Sequence, residues 1–93
     1  MKKYAKLVKV GDNVVTSVAD IGENETFIVK TENGEKSYKS NQKVDFGHKI
    51  AVEEIKKGEQ ILKYGQEIGI ATADIKVGDW VHIHNVRDNY EVK

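Results

Sequence analysis

The chain has 93 residues, with 15 basic side chains balanced by 15 acidic ones, no cysteine and no proline. Zero formal net charge argues against nucleic acid as the main partner, which needs a basic excess or stripe, and the lack of cysteine excludes disulfides and thiolate metal sites. No apolar run approaches the roughly 18–20 residues of a membrane span, and the basic start Met1–Lys6 lacks the apolar core of a signal peptide, so a cytoplasmic chain folded as one small domain is expected.

In chain order, Tyr4 to Val10 alternates imperfectly and reads as a first strand. Gly11-Asp12-Asn13 is a turn signal ahead of the β-branched run Val14 to Ala19. Thr26 to Lys30 is a further strand, and Asn33-Gly34 is the strongest hairpin signal, because both residues tolerate positive φ. The return strand Ser37 to Ser40 is polar enough for a sheet edge. Gly47 to Val52 reads as a strand and Glu53 to Gly58 as one helical turn stopped by Gly58. Gln60 to Tyr64 and Glu67 to Thr72 flank a tight connection at Tyr64-Gly65-Gln66. Trp80 to Val86 is the last strand, with the core spanning about 9–87 and residues 88–93 forming a tail or linker. No amphipathic stripe free of glycine is long enough for a substantial helix. The chain is therefore read as mostly β, built of short strands and tight glycine turns with at most one or two helical turns.

A repeat runs through these elements. Ile55-Lys56-Lys57-Gly58-Glu59-Gln60-Ile61 returns as Ile75-Lys76-Val77-Gly78-Asp79-Trp80-Val81, with a weaker echo at Asp20-Ile21-Gly22-Glu23-Asn24-Glu25. A turn used three times, with glycine in a conformation costly for other residues, predicts a compact β fold with internal pseudo-symmetry.

The chemistry-bearing residues are few. His82 and His84 are two apart on the expected last strand, so both project from one face and can meet a metal or an anionic group, or form a polar strand face over buried Val81 and Ile83. His48 opens a strand and is either a general base or acid, with Lys49 adding positive charge, or a strand-entry residue with a local hydrogen bond. Asp12-Asn13 reads first as a turn former and Trp80 as a core or interface anchor. There is no phosphate-binding glycine loop, nucleophile elbow or HExxH motif, so a complete catalytic apparatus is not expected.

Taken together, Gly47-His48-Lys49, Ile55-Lys56-Lys57-Gly58, Ile61-x-Lys63-Tyr64-Gly65, Ala73-Asp74-Ile75 and Val81-His82-x-His84-Asn85 resemble the N-terminal domain of altronate dehydratases, and Asp12-Asn13-Val14 fits the same pattern. The resemblance implies a SAF domain of β-clip fold. It implies a sugar-acid hydro-lyase, in which D-altronate loses water across C2 and C3 to give 2-keto-3-deoxy-D-gluconate. It further implies His48, His82 and His84 as catalytic residues and Asp12, Asn13, Lys49 and Asn85 as substrate-binding ones. The chemistry fits these residue types: removing a proton beside a carboxylate builds an enediolate-like dianion, which needs cationic stabilisation and a positioned base. A divalent metal, iron or manganese, is implied as cofactor, held mainly by a large catalytic subunit that is the expected partner; its ligands are left open, with His82 and His84 as candidates from their spacing. The isolated chain is expected to be inactive and, with an edge strand exposed, open to self-association. Where relatives often carry a histidine three positions before the Asp-Asn pair, this chain has Lys9. The alternative is a non-catalytic β-clip module that binds a carbohydrate or a protein.

Overall fold

A computed structural model describes residues 2–87; the tail expected over 88–93 lies outside them. Among the described residues nine strands follow in order: β1 (Tyr4–Lys6), β2 (Val14–Ser17), β3 (Thr26–Thr31), β4 (Gly34–Lys39), β5 (Lys49–Ala51), β6 (Gln60–Lys63), β7 (Gln66–Ala71), β8 (Trp80–Val81) and β9 (Val86–Arg87). They form a six-stranded sheet in the order β4-β3-β1-β2-β5-β8 and a three-stranded sheet β6-β7-β9. Among the described residues only β1 and β3 run parallel.

Two apolar clusters lie on opposite sides of the β2–β5 pair. Val15 and Ile50 join Ala5, Ile21, Phe27, Val29 and Val44 in one, while Val14 and Ala51 join Ile55, Ile61, Ala71, Ile75 and Val81 in the other. Successive side chains of a strand point to opposite faces, so the dipeptides Val14-Val15 and Ile50-Ala51 can be apolar throughout only because both faces of these strands are covered. Phe27 is fully buried and stacks on Tyr38 at 5.6 Å, adding about 0.5–1.5 kcal/mol to its area burial.

The turn repeat is present four times. The copies are Ile21–Glu25, Val44–His48, Ile55–Glu59 and Ile75–Asp79, and each begins with a fully buried aliphatic residue. In each, the last residue's N–H donates to the carbonyl of the second at 2.9–3.1 Å (Glu25 to Gly22, His48 to Asp45, Glu59 to Lys56, Asp79 to Lys76). The fourth residue of each has positive φ: Asn24 at 66°, Gly47 at 87°, Gly58 at 90° and Gly78 at 93°, as a turn of this kind demands at its second central position. Copies associate in pairs through isolated bridges, Ile21 with Val44 and Ile55 with Ile75, giving one pair to each apolar cluster. Gly22, expected to be the turn glycine of the first copy, is not the residue in the left-handed region; Asn24 is.

Three copies close on themselves with an acid. Glu25 Oε1 accepts from Gly22 N–H at 2.7 Å, Glu59 Oε1 from Lys56 N–H at 2.9 Å and Asp79 Oδ2 from Lys76 N–H at 2.9 Å. The Gly22 N–H, followed by Lys3, holds the Glu25 carboxyl below the usual carboxylate range. In the copy at Val44, the residue at this position is His48.

Three local expectations are corrected. Glu53 to Gly58 forms no helical turn, because buried Ile55 exchanges both backbone hydrogen bonds with Ile75, at 2.9 and 2.7 Å. The first hairpin turns at Glu32-Asn33, one residue early, since Thr31 pairs with Gly34 and the Thr31 hydroxyl accepts from Asn33 N–H. Trp80 to Val86 is not one strand: pairing stops after Val81 and residues 82–85 turn before β9. The tight connection at Tyr64-Gly65 is found, with φ of 58° and 72°, the two positive values of a type I′ hairpin.

Candidate functional site

The turn at residues 82–85 is made by Asn85. Its Oδ1 accepts from His82 N–H at 2.9 Å and its Nδ2 donates to the Trp80 carbonyl at 2.8 Å. Its own N–H donates to the His82 carbonyl at 3.1 Å, and its carbonyl accepts from Thr72 N–H at 2.9 Å. The Asn85 side chain is buried in this role. His82 and His84 are therefore brought together by a turn, not by strand alternation. Their rings lie 5.2 and 4.9 Å from the Trp80 ring, the His82 ring nearly parallel to it at 11°.

His48 joins them from β5's entry. Its ring centroid lies 5.0 Å from that of His82, and its Nδ1 accepts a hydrogen bond from the Trp80 indole N–H at 3.1 Å. His48, 32 positions from Trp80 in sequence, thus joins His82 and His84 around the Trp80 ring. That residue is held in turn by Gln42, whose Oε1 accepts from the Trp80 backbone N–H at 2.7 Å.

Beside this cluster opens a cleft of about 510 Å³ lined by Lys49, Glu67, His82 and Arg87 over the apolar floor of Ile61 and Val81, with Ile68, Ile83 and Val86 at its sides. Burial, and then the nearby Lys63, pushes the Lys49 ammonium below its ordinary pKa. Glu67 Oε1 accepts from Gln60 Nε2 at 2.9 Å, whereas its Oε2 is buried without a partner. The cleft thus gathers Lys49, Arg87 and His82 around a single carboxylate, a setting that favours an anion of small-molecule size. Trp80, expected from the sequence as a core or interface anchor, packs on the first apolar cluster and also meets the histidines. Glu67 and Arg87 carry no signal in the sequence and are brought to one cleft by the pairing of β7 with β9.

Asp12 and Asn13 lie elsewhere, at the junction of the two sheets. The buried Asp12 carboxylate accepts from Tyr64 and Gly65 N–H at 3.0 and 2.9 Å and from Lys9 N–H at 3.1 Å. Asn13 accepts from Leu62 N–H at 2.8 Å and donates to the Gln60 carbonyl at 3.0 Å. Their polar atoms are engaged with the backbone of the β6–β7 hairpin. Lys9 lies against the same hairpin, where its side chain fills the space over Gly65.

Among the described residues no three His, Asp or Glu side chains converge to hold a metal ion, and His48 Nδ1 is already engaged with Trp80. These residues do not by themselves fit a metal centre. Among the described residues no helix is long and apolar enough to cross a membrane.

Residues 3–89 match the altronate/galactarate dehydratase SAF domain. The altronate dehydratase of Bacillus subtilis is 36% identical over 89 residues, 96% of this chain and 17% of the relative. That of Escherichia coli is 41% identical over 78 residues, 84% of this chain and 15% of the relative. The (2R)-sulfolactate sulfo-lyase subunit alpha of Paracoccus pantotrophus is 32% identical over 60 residues, 64% of this chain and 90% of the relative. The chain spans about one sixth of the length of the two dehydratases and nearly all of the sulfo-lyase subunit. It belongs to the altronate/galactarate dehydratase SAF domain family.

Proposed function

We propose that this chain is the SAF part of a cytoplasmic sugar-acid hydro-lyase, acting on D-altronate with a larger catalytic region that completes the site. The observation that carries the reading is the convergence of His48, His82 and His84 on Trp80 beside a cleft holding Lys49 and Arg87. Lys49 and Arg87 are suited to the substrate carboxylate, and their charge offsets the negative charge that builds as the C2 proton leaves. The histidines supply proton transfer or hydrogen bonds at the C2 and C3 positions. Asn85 holds the turn that presents two of them, while Asp12 and Asn13 support the site through the hairpin that carries Glu67.

The larger region is either a separate subunit, as the name of the sulfo-lyase subunit alpha relative favours, or part of the same polypeptide, as the long dehydratase relatives favour. The divalent iron or manganese of the complete enzyme is assigned to that region, and the isolated chain is inactive. Co-purification from the native cell, followed by assay on altronate with added iron(II), tests the reading. Recovery of a larger partner and formation of the 2-keto-3-deoxy acid is the expected result. Turnover of (2R)-sulfolactate alone would redirect the substrate, and a chain with no partner and no turnover in any mixture would overturn the reading in favour of a binding module.

A further inference from the structure

We propose that Trp80 is the positioning residue for His48: it fixes the neutral imidazole with its proton on Nε2, so that His48 meets the substrate as a hydrogen-bond donor and not as the proton-abstracting base. The part about substrate rests on the dehydratase reading above; the part about the tautomer does not.

The four-fold turn repeat supplies the first argument. At the position of His48 the other three copies carry Glu25, Glu59 and Asp79, each closing its own turn. The Val44 copy keeps the same backbone turn without that side-chain bond, so the turn does not need an acid there. The His48 ring is free of that structural duty and lies against Trp80 and His82.

The second argument is the chemistry of the bond. An indole N–H can only donate, and it reaches His48 Nδ1 at 3.1 Å, so Nδ1 presents a lone pair. A neutral imidazole carries one proton, which then sits on Nε2. The donor is itself held in place. Trp80 pairs with Ile50, its backbone N–H is bound by Gln42, its carbonyl is bound by Asn85, and its side chain packs on the first apolar cluster. With Nδ1 occupied and Nε2 protonated, neutral His48 has no lone pair to offer a carbon acid. Proton abstraction falls to another group, and His82 and Glu67 line the cleft for it.

Nitrogen-15 NMR of the chain at about pH 8, where imidazoles are mostly neutral, tests the tautomer directly. We expect His48 Nε2 to be the protonated nitrogen and a coupling across the hydrogen bond to link Trp80 Nε1 with His48 Nδ1. In Trp80→Phe the Nδ1-protonated form should become populated, and in His48→Ala the indole N–H proton should move upfield, which reads the same bond if Trp80→Phe does not fold. A proton on Nδ1 in the unaltered chain, or absence of the coupling, overturns the proposal.

In the assembled enzyme, His48→Gln keeps an N–H donor but no base. It should retain turnover within about tenfold, whereas His48→Ala should lose ~10²-fold or more. Equal loss in both variants makes His48 the base and overturns its donor role. An assembly that dehydrates nothing refutes the dehydratase reading alone, because the NMR result still decides the tautomer.

Discussion

Asn85 grips the backbone on both sides of the histidine turn, accepting from His82 N–H at 2.9 Å and donating to the Trp80 carbonyl at 2.8 Å. One amide thereby sets the geometry of His82, His84 and Trp80 together. In Asn85→Ala two backbone groups lose their partner, at about 1–3 kcal/mol for each group left buried and unsatisfied. We expect a loss of about 2 kcal/mol or more by urea denaturation, with changed Trp80 fluorescence. A variant as stable as the parent would show that the turn forms without this side chain.

Gly58 and Gly78 occupy the same place in two copies of the turn but differ in surroundings. A Cβ at Gly58 meets nothing within 4 Å, whereas one at Gly78 falls 2.2 Å from the Lys39 carbonyl oxygen. Gly58→Ala should therefore cost only the left-handed backbone, about 1–2 kcal/mol. Gly78→Ala adds a clash with main chain, bringing a further ~1–3 kcal/mol. Equal midpoints in denaturant would remove the packing argument.

Lys49 carries its charge in the cleft against burial and the repulsion of Lys63, which lower its pKa from 10.5. The unfolded chain therefore binds this proton more tightly than the folded one. Stability rises as pH climbs through the folded pKa toward 10.5, and the cost is fully present at lower pH. Lys49→Met should stabilise the chain at pH 7 by no more than about 1 kcal/mol after solvent screening. That advantage should fade as pH approaches 10.5, while the KM of the assembled enzyme for its anionic substrate rises. A variant less stable than the parent at pH 7 would contradict the assignment.

His82→Ala and His84→Ala remove the two imidazoles held by the turn without touching Asn85. If they serve in proton transfer, each should lower turnover of the assembled enzyme by about 10²–10⁴-fold with the circular dichroism spectrum unchanged. Parent-like turnover would take that histidine out of the mechanism.

Much of the β architecture was legible locally. Positive φ at Gly58 and Gly78, the hairpin near Asn33 and the polar edge strand β4 follow from turn chemistry and residue polarity, which act over a few neighbours. The copy of the turn at Val44–His48 is masked in the sequence because Val replaces Ile and His replaces the acid, while the backbone turn that defines it survives both changes. Trp80 to Val86 looked like a strand because its alternation suits one, yet Asn85 turns the chain back through bonds that no propensity describes. The gathering of His48 with His82, of Glu67 with Arg87, and of Asp12 with Tyr64 and Gly65 joins residues 20 to 53 positions apart. Local sequence set the strands, the turns and the supply of histidines. Only the pairing of distant strands decided which of those side chains face one another, because contact across a sheet depends on register between segments and not on the residues within any one of them.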